Sequence, residues 1–167
     1  MGEILTRMAI NDEFVNETST SPKYNIGHTV VVAENQTAIP TTFKYVKAAA
    51  ALTAYQPYVL VEDKDGVTTA SPATSTVTKV IGIPQVAIAQ NSYGFVAIQG
   101  ICKAKTGIQA AGDTLEVINS GTTLIVDGSS GSPAETANTV AISCETAAAA
   151  ATVKVNLLGK RVAVAAS

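Results

Sequence analysis

Val80 to Gly107 reads VIGIPQVAIAQNSYGFVAIQGICKAKTG, and it is the stretch in which apolar residues alternate most regularly, with turn residues between them. In Val86-Ala87-Ile88-Ala89 and in Phe95-Val96-Ala97-Ile98-Gln99, residues two apart share a face, which is the period of a strand rather than of a helix. Asn91-Ser92-Tyr93-Gly94 lies between the two runs and supplies the polar, glycine-containing loop of a β-hairpin. The stretch therefore predicts paired strands, and it holds no catalytic group.

Working outward on the N-terminal side, Tyr58 to Val61 and Val67 to Ala70 flank Asp63-Lys64-Asp65-Gly66, and Asp-Gly between two strand-like runs predicts another hairpin. The same four residues resemble the opening of a calcium loop. The later oxygen ligands and the distant Glu are missing, so a turn is the better reading. Val30-Val31-Val32 is a β-branched run after Gly27 and predicts a strand, closed by Glu34-Asn35-Gln36. Thr41 to Tyr55 leaves two readings open. Ala48 to Leu52 has low helical cost and Pro57 closes it, while β-branched and aromatic residues over Thr41 to Val46 favour an extended chain.

On the C-terminal side, Ala111-Gly112-Asp113 turns the chain into Thr114 to Ile118, and Asn119-Ser120-Gly121 leads into Thr122 to Val126, a second predicted hairpin. Asp127 to Pro133, DGSSGSP, has the composition of an exposed flexible loop. Val140-Ala141-Ile142-Ser143 then echoes Val86-Ala87-Ile88-Ala89, and an alternating strand ending near a glycine follows each, at Gly100 and Gly159. Two such units could close a small barrel or sandwich; the same echo also arises by chance where Val, Ala and Ile are common.

Met1 to Pro22 shows no sustained period and ends in Thr-Ser-Thr-Ser-Pro, so it is expected to be an arm that contributes no core element and orders only on a partner. The alternative is an arm that adds an edge strand to its own domain. Residues 23–167 are expected to form one β-rich domain. The expected fold is all-β, a compact barrel or sandwich with an extended N-terminal arm and room for one short helix.

Of the 167 residues 47% are hydrophobic, mainly Ala and Val with no Trp and three Phe, so a single thin core is expected. Charged residues make up 14%, and mean hydropathy is +0.27, which favours apolar surface covered by a partner. Net charge is −2 with no Lys/Arg cluster among aromatics, which argues against nucleic acid as a partner. Glu3 and the lack of a continuous apolar run near the N-terminus argue against a secretory signal, and no run is long enough to span a bilayer.

No catalytic, cofactor-binding or metal-binding residue is assigned. His28 is the only histidine, which argues against a His pair, a His-Cys dyad or a three-ligand zinc site and disfavours a small hydrolase; it reads as a turn or surface residue. Asp113 beside Gly112 reads as turn chemistry. Cys102 and Cys144 sit in no metal or redox motif and read as free, packed thiols. Asn16-Glu17-Thr18 and Asn35-Gln36-Thr37 match the glycosylation sequon and read as incidental without a secretory signal.

Six features in this order resemble the small capsid decoration, or cement, proteins of tailed bacteriophages. They are the Ala-rich lead into a strand at Ala48 to Val61, the Asp65-Gly66 turn, Val80 to Ile83, the Gly94 to Gly100 strand, the Ala111 to Leu115 turn, and a last alternating strand ending at Gly159. The resemblance covers about two-thirds of the chain, and Met1 to Pro22 and Asp127 to Pro133 have no counterpart in it. It implies a compact all-β domain that forms a homotrimer and caps joints between major capsid protein subunits on the capsid exterior, with no catalysis; no cofactor is expected, and the charge and hydropathy readings above leave neither nucleic acid nor a membrane as an expected partner. The loops Asn91 to Gly94 and Asp127 to Pro133 are the expected contact points, since loops reach partners while strands set the scaffold. A carbohydrate-binding or adhesin-like β module is the competing reading. It calls for exposed aromatics on one face, and Tyr24, Tyr45, Tyr55, Tyr58 and Tyr93 are scattered along the chain.

Overall fold

In the computed structural model, residues 12–33, 39–63, 66–70, 78–118, 121–127 and 138–163 are described. Along them run a short helix, α1 (Asp12–Val15), and the strands β1 (Thr29–Val32), β2 (Thr41–Ala48), β3 (Tyr58–Asp63), β4 (Gly66–Ala70), β5 (Thr78–Pro84), β6 (Tyr93–Thr106), β7 (Thr114–Glu116), β8 (Ile125–Val126), β9 (Ala141–Ser143), β10 (Ala151–Leu158) and β11 (Arg161–Ala163). The fold is all-β, as the alternation predicts.

β6, 14 residues long, is the strand that the others are built on. Its first half pairs antiparallel with β2, from Thr42 opposite Gln99 to Lys47 opposite Tyr93, and with β5 through Ile83–Ala97 and Pro84–Val96. Its second half pairs with β10, from Leu158 opposite Gln99 to Ala151 opposite Thr106. The predicted hairpin is thus corrected. The strand before the Asn91 loop is β5, and Val86 to Ala89 forms only an isolated bridge between Ile88 and Leu52. Pro84 at the end of β5 has no N–H to extend the ladder, and Ile88, 1% exposed, serves as a plug instead.

Halfway along, the β2 register slips between Thr42 and Phe43, leaving Ile98 as the extra residue of a bulge. Gly100 follows at φ 88°, and a Cβ there would lie 2.0 Å from the Pro40 carbonyl oxygen, so only glycine fits.

The neighbour order is β1-β2-β4-β3-β5-β6-β10-β9-β7-β8, with β11 beside β5. Because β2 also touches β6, the sheet curls back on itself, but through two-residue contacts at β2–β4 and β5–β6 rather than the long seams of a zipped barrel. β10, β9, β7 and β8 continue past β6 as a wing. Both other predicted hairpins are present: β3 pairs with β4 up to Asp63 opposite Gly66, and Leu115 and Glu116 of β7 face Val126 and Ile125 of β8. Of the echo at Val86 and Val140, only the second copy is a strand.

One thin core was expected, and two apolar clusters are present. Successive strand residues point to opposite faces. On β2, Phe43 and Tyr45 enter the larger cluster while Val46 and Ala48 enter the smaller; on β6, Phe95 and Ala97 enter the larger and Val96 the smaller. Both faces of the curled sheet are therefore buried. Burying one Val, Leu, Ile or Phe contributes about 1.5–3 kcal/mol, so small side chains used on both faces of a strand offset their size.

The smaller cluster is capped by Leu52 and Ile88, whose backbones exchange hydrogen bonds of 2.8 and 3.0 Å. That contact explains why Ala48 to Leu52 is not helical. The helical advantage of Ala is a few tenths of a kcal/mol per residue, less than placing Ala48 and Leu52, 0% and 2% exposed, in that cluster on an extended chain.

The second half of the arm also departs from expectation. Val15 is 3% exposed and belongs to the larger cluster, and Phe14 packs its ring 5.2 Å from Tyr24 and 5.3 Å from Phe95. Ser19 bridges Tyr93 through backbone bonds of 3.0 and 2.8 Å, and the Lys23 N–H donates to the Tyr45 hydroxyl. Residues 12–22 therefore do contribute to the core; Met1 to Asn11 lie outside the described residues. A segment without periodicity can still dock by two apolar side chains, and periodicity does not report such docking.

Candidate interaction surface

The residues that drew attention in the sequence lie apart. His28 is exposed and stacks on Tyr24 at 6.0 Å. The Asp113 carboxylate accepts the Ala110 N–H at 2.7 Å, closing the turn at Gly112. Cys102 is buried, and burial pushes its thiol pKa far above the ordinary range. Cys144, expected to be packed, is exposed, its thiol raised by partial desolvation and by the Glu145 carboxylate. Lys64 and Asp65 of the calcium-like stretch, and Asn35 of the second sequon, lie outside the described residues, while Asn16 of the first is exposed.

Of the two loops expected to reach partners, Asn91 to Gly94 does not stand out as a contact surface. Asn91 is exposed at φ 62°, but Ser92 is 8% exposed, Gly94 is buried against Ile88, and the loop is clamped to Ala48 by bonds from the Asn91 N–H and to the Ser92 carbonyl. Asp127 opens the second loop as a buried group, 2% exposed, whose carboxylate accepts the Thr139 hydroxyl; residues 128–137 lie outside the described ones. A carboxylate in an Asp-Gly-Ser-Ser run reads as turn chemistry, so the sequence gives no sign of this anchor.

Along the strands of the wing, buried and exposed residues alternate. Along the second half of β6, Cys102, Ala104 and Thr106 are buried while Lys103 is exposed and Lys105 half-buried. On β10, Val153, Val155 and Leu157 are buried, and Thr152 and Lys154 are exposed. Lys103 stands directly opposite Lys154, an unfavourable cross-strand pairing of like charges that solvent and the neighbouring Glu145, which accepts the Lys154 N–H at 3.0 Å, moderate.

At each end of this ladder lies apolar surface. Among the described residues the exposed large apolar side chains are Val31 (59%), Ile39 (42%) and Ile108 (71%). Val31 and Ile39 line one shallow groove with Pro40, Gly100, Leu157 and Leu158. Ile108 lines another depression with Ala110, Val126 and Ala148. Sequence signals for these sites are faint. In Val30-Val31-Val32 one of three consecutive apolar residues must face outward, and Ile108 is a lone apolar residue beside the turn glycine Gly107.

Folding also gathers aromatics that are scattered in the chain. Tyr24, Tyr45 and Tyr93 meet Phe14 and Phe95, with ring centroids 5.0–6.2 Å apart. Tyr45 and Phe95 are 2% and 1% exposed, so the cluster fastens the arm to the sheet and does not form a flat, open platform.

No family model matches the chain, and no curated protein matches it by sequence. Among solved structures, the fold is similar to the N base of head fiber gp8.5 of bacteriophage phi29, with a TM-score of 0.50 and 13% sequence identity over 72% of this chain and 97% of that one. At that identity the likeness is one of fold.

Proposed function

We propose that this chain is a structural virion protein of a tailed bacteriophage that binds the outside of an assembled capsid and stabilises it by bridging major capsid protein subunits, acting as a homotrimer and without catalysis. The observation that carries this reading is the fold shared with the base of a phage head fiber, which spans nearly all of that neighbour. The order of sequence features that resembles capsid decoration proteins points the same way. The low charge and the apolar surface at both ends of the wing suit a protein that works by adhesion to others. The adhesin-like alternative gains little from the gathered aromatics, among which Tyr45 and Phe95 are buried.

A protein that binds the assembled lattice and not its free subunits shifts the equilibrium toward the intact shell by RT ln(1 + [L]/Kd), about 2.7 kcal/mol per site at a hundredfold excess over Kd. Repeated over many sites, small terms become a large one. Particles saturated with the chain should release their genome at a higher temperature than bare particles. Coincident release curves at full occupancy would show that it decorates without stabilising.

A further inference from the structure

We propose that the cleft lined by the arm, β2 and β6 takes an acidic side chain of a protein partner, a glutamate, whose carboxylate meets Lys103 and Lys154. The inference rests on the capsid-binding reading above and deepens it by naming the chemistry that the partner presents.

The cleft opens beside the second half of β6, just past the Ile98 bulge, and Val15 and Asn16 of the arm contribute to its lining. Its volume is about 200 Å³. Small-molecule sites run to about 300–1,000 Å³, so this one suits a single side chain rather than a whole ligand. Val15, Val32 and Phe43 give it a buried apolar wall, against which a methylene stem can lie.

Both charged groups of the cleft, Lys103 and Lys154, are cations. Among the described residues no carboxylate lies within ion-pair distance of either, whereas Lys23 pairs with Glu17 at 2.7 Å. Glu145 takes the backbone N–H of Lys154 and not its ammonium. Other acceptors are already engaged: the Gln85 side-chain oxygen accepts the Lys103 N–H, and the Thr41 hydroxyl is spent on the Ile101 carbonyl. The Tyr55 hydroxyl and the Asn16 amide have no partner among the described residues, and both can donate. Two ammoniums and two further donors around an apolar wall match a carboxylate on a short stem.

Two unfavourable features of the fold meet in this cleft. Lys103 and Lys154 are direct cross-strand neighbours of like charge, and Lys105 follows two residues on. Tyr55 is held at φ 67°, its N–H bonded to the Pro84 carbonyl and its own carbonyl to the Lys105 N–H, both at 2.7 Å. A bulky residue rarely adopts that conformation, and such strain gathers where a ligand is clamped. A carboxylate between the two ammoniums offsets their repulsion. The three lysines occupy only two rungs of the ladder, too short a track for a nucleic-acid backbone, and this favours an acidic protein side chain.

Backbone-amide NMR on the purified chain tests the site without a shell. The probe is N-acetyl-glutamate amide, set against the neutral N-acetyl-glutamine amide and against inorganic phosphate. Saturable shifts at Tyr55, Ile101 to Lys103 and Lys154 are expected with the glutamate probe, none with the glutamine probe, and weaker ones with phosphate. The response should vanish in Lys103→Gln/Lys154→Gln and persist in Lys103→Arg/Lys154→Arg. Both ammoniums are exposed, so both double variants should melt like the native chain. No saturable shift with the glutamate probe, an equal shift with either competitor, or a response that survives in the double Gln variant would overturn the site. Co-sedimentation then carries the test to shells, where the double Gln variant should bind about tenfold more weakly, the loss that one charge-assisted hydrogen bond represents. Equal binding of native and double Gln chains to shells would overturn the cleft as the contact and leave the capsid reading standing. A native chain that binds the glutamate probe but no shell would overturn the capsid reading and leave the cleft's ligand standing.

Discussion

From Tyr93 to Ala97 β6 is enclosed on both faces, with Phe95 in one apolar cluster and Val96 in the other; from Cys102 to Thr106 the same strand buries every second residue and turns lysines outward. The change falls at the Ile98 bulge and Gly100, where β2 leaves the strand and β10 takes over as its long partner. The first half works as core, and a substitution of either parity should be felt there. The second half is the edge of a one-sided wing, where parity decides whether a residue holds the fold or meets what lies outside. Two-sided and one-sided burial are thus divided along one strand.

The largest effect that would sharpen this contrast is at Phe95, fully buried and in ring contact with Phe14, Tyr24 and Tyr45. Phe95→Ala should cost about 3–5 kcal/mol in denaturant unfolding. Next comes the neighbouring position on the opposite face. Val96→Thr places a hydroxyl in the smaller cluster and should cost about 1–3 kcal/mol, whereas Lys103→Thr on the wing should stay within about 0.5 kcal/mol. Equal losses at Val96 and Lys103 would break the distinction between the two halves. Phe14→Ala should lower stability by about 1–2 kcal/mol, since a half-buried ring contributes less than a full one; an unchanged melt would mean that the arm is not part of the body.

A smaller effect concerns pH. The thiol of Cys102 ionises near the ordinary cysteine value of 9.0 in the unfolded chain, while burial raises its pKa in the fold. Above pH 9 the folded state therefore holds more protons than the unfolded one. The Cys102 contribution is complete below that pH and is lost as pH rises beyond it. Comparing unfolding midpoints at pH 7 and pH 10, Cys102→Ala should lose less stability across the interval than the native chain. An equal loss would mean that the buried thiol is not what the alkaline slope reports.

How much of this was legible depended on what each residue faced. Where one side of a strand meets solvent, as in Val153 to Leu157, alternation reveals both the strand and its inner face. Where both sides are buried, as in Phe95-Val96-Ala97, the run announces a strand but hides that it serves two clusters. Val86 to Ala89 alternates like a strand, yet Ile88 is needed as a plug over the smaller cluster, a demand set by Leu52, 36 residues away in the chain. Ala48 to Leu52 lost its helical reading to the same contact. Phe14 and Val15 docked without any periodic signal, and the Asp127–Thr139 bond joins two ends of a loop whose composition reads as solvent-exposed. The exposed apolar surfaces were the least legible, because an exposed Val31 or Ile108 differs from a buried one only in what the fold places beside it.

Sedimentation of the purified chain with shells tests most directly whether this is a protein that binds an assembled lattice. Empty shells of the parent phage and the same coat subunits after dissociation are each titrated with the chain under identical salt. Saturable co-sedimentation with shells and no complex with the dissociated subunits is the predicted result. Absence of binding to shells, or equal affinity for the free subunits, would contradict it.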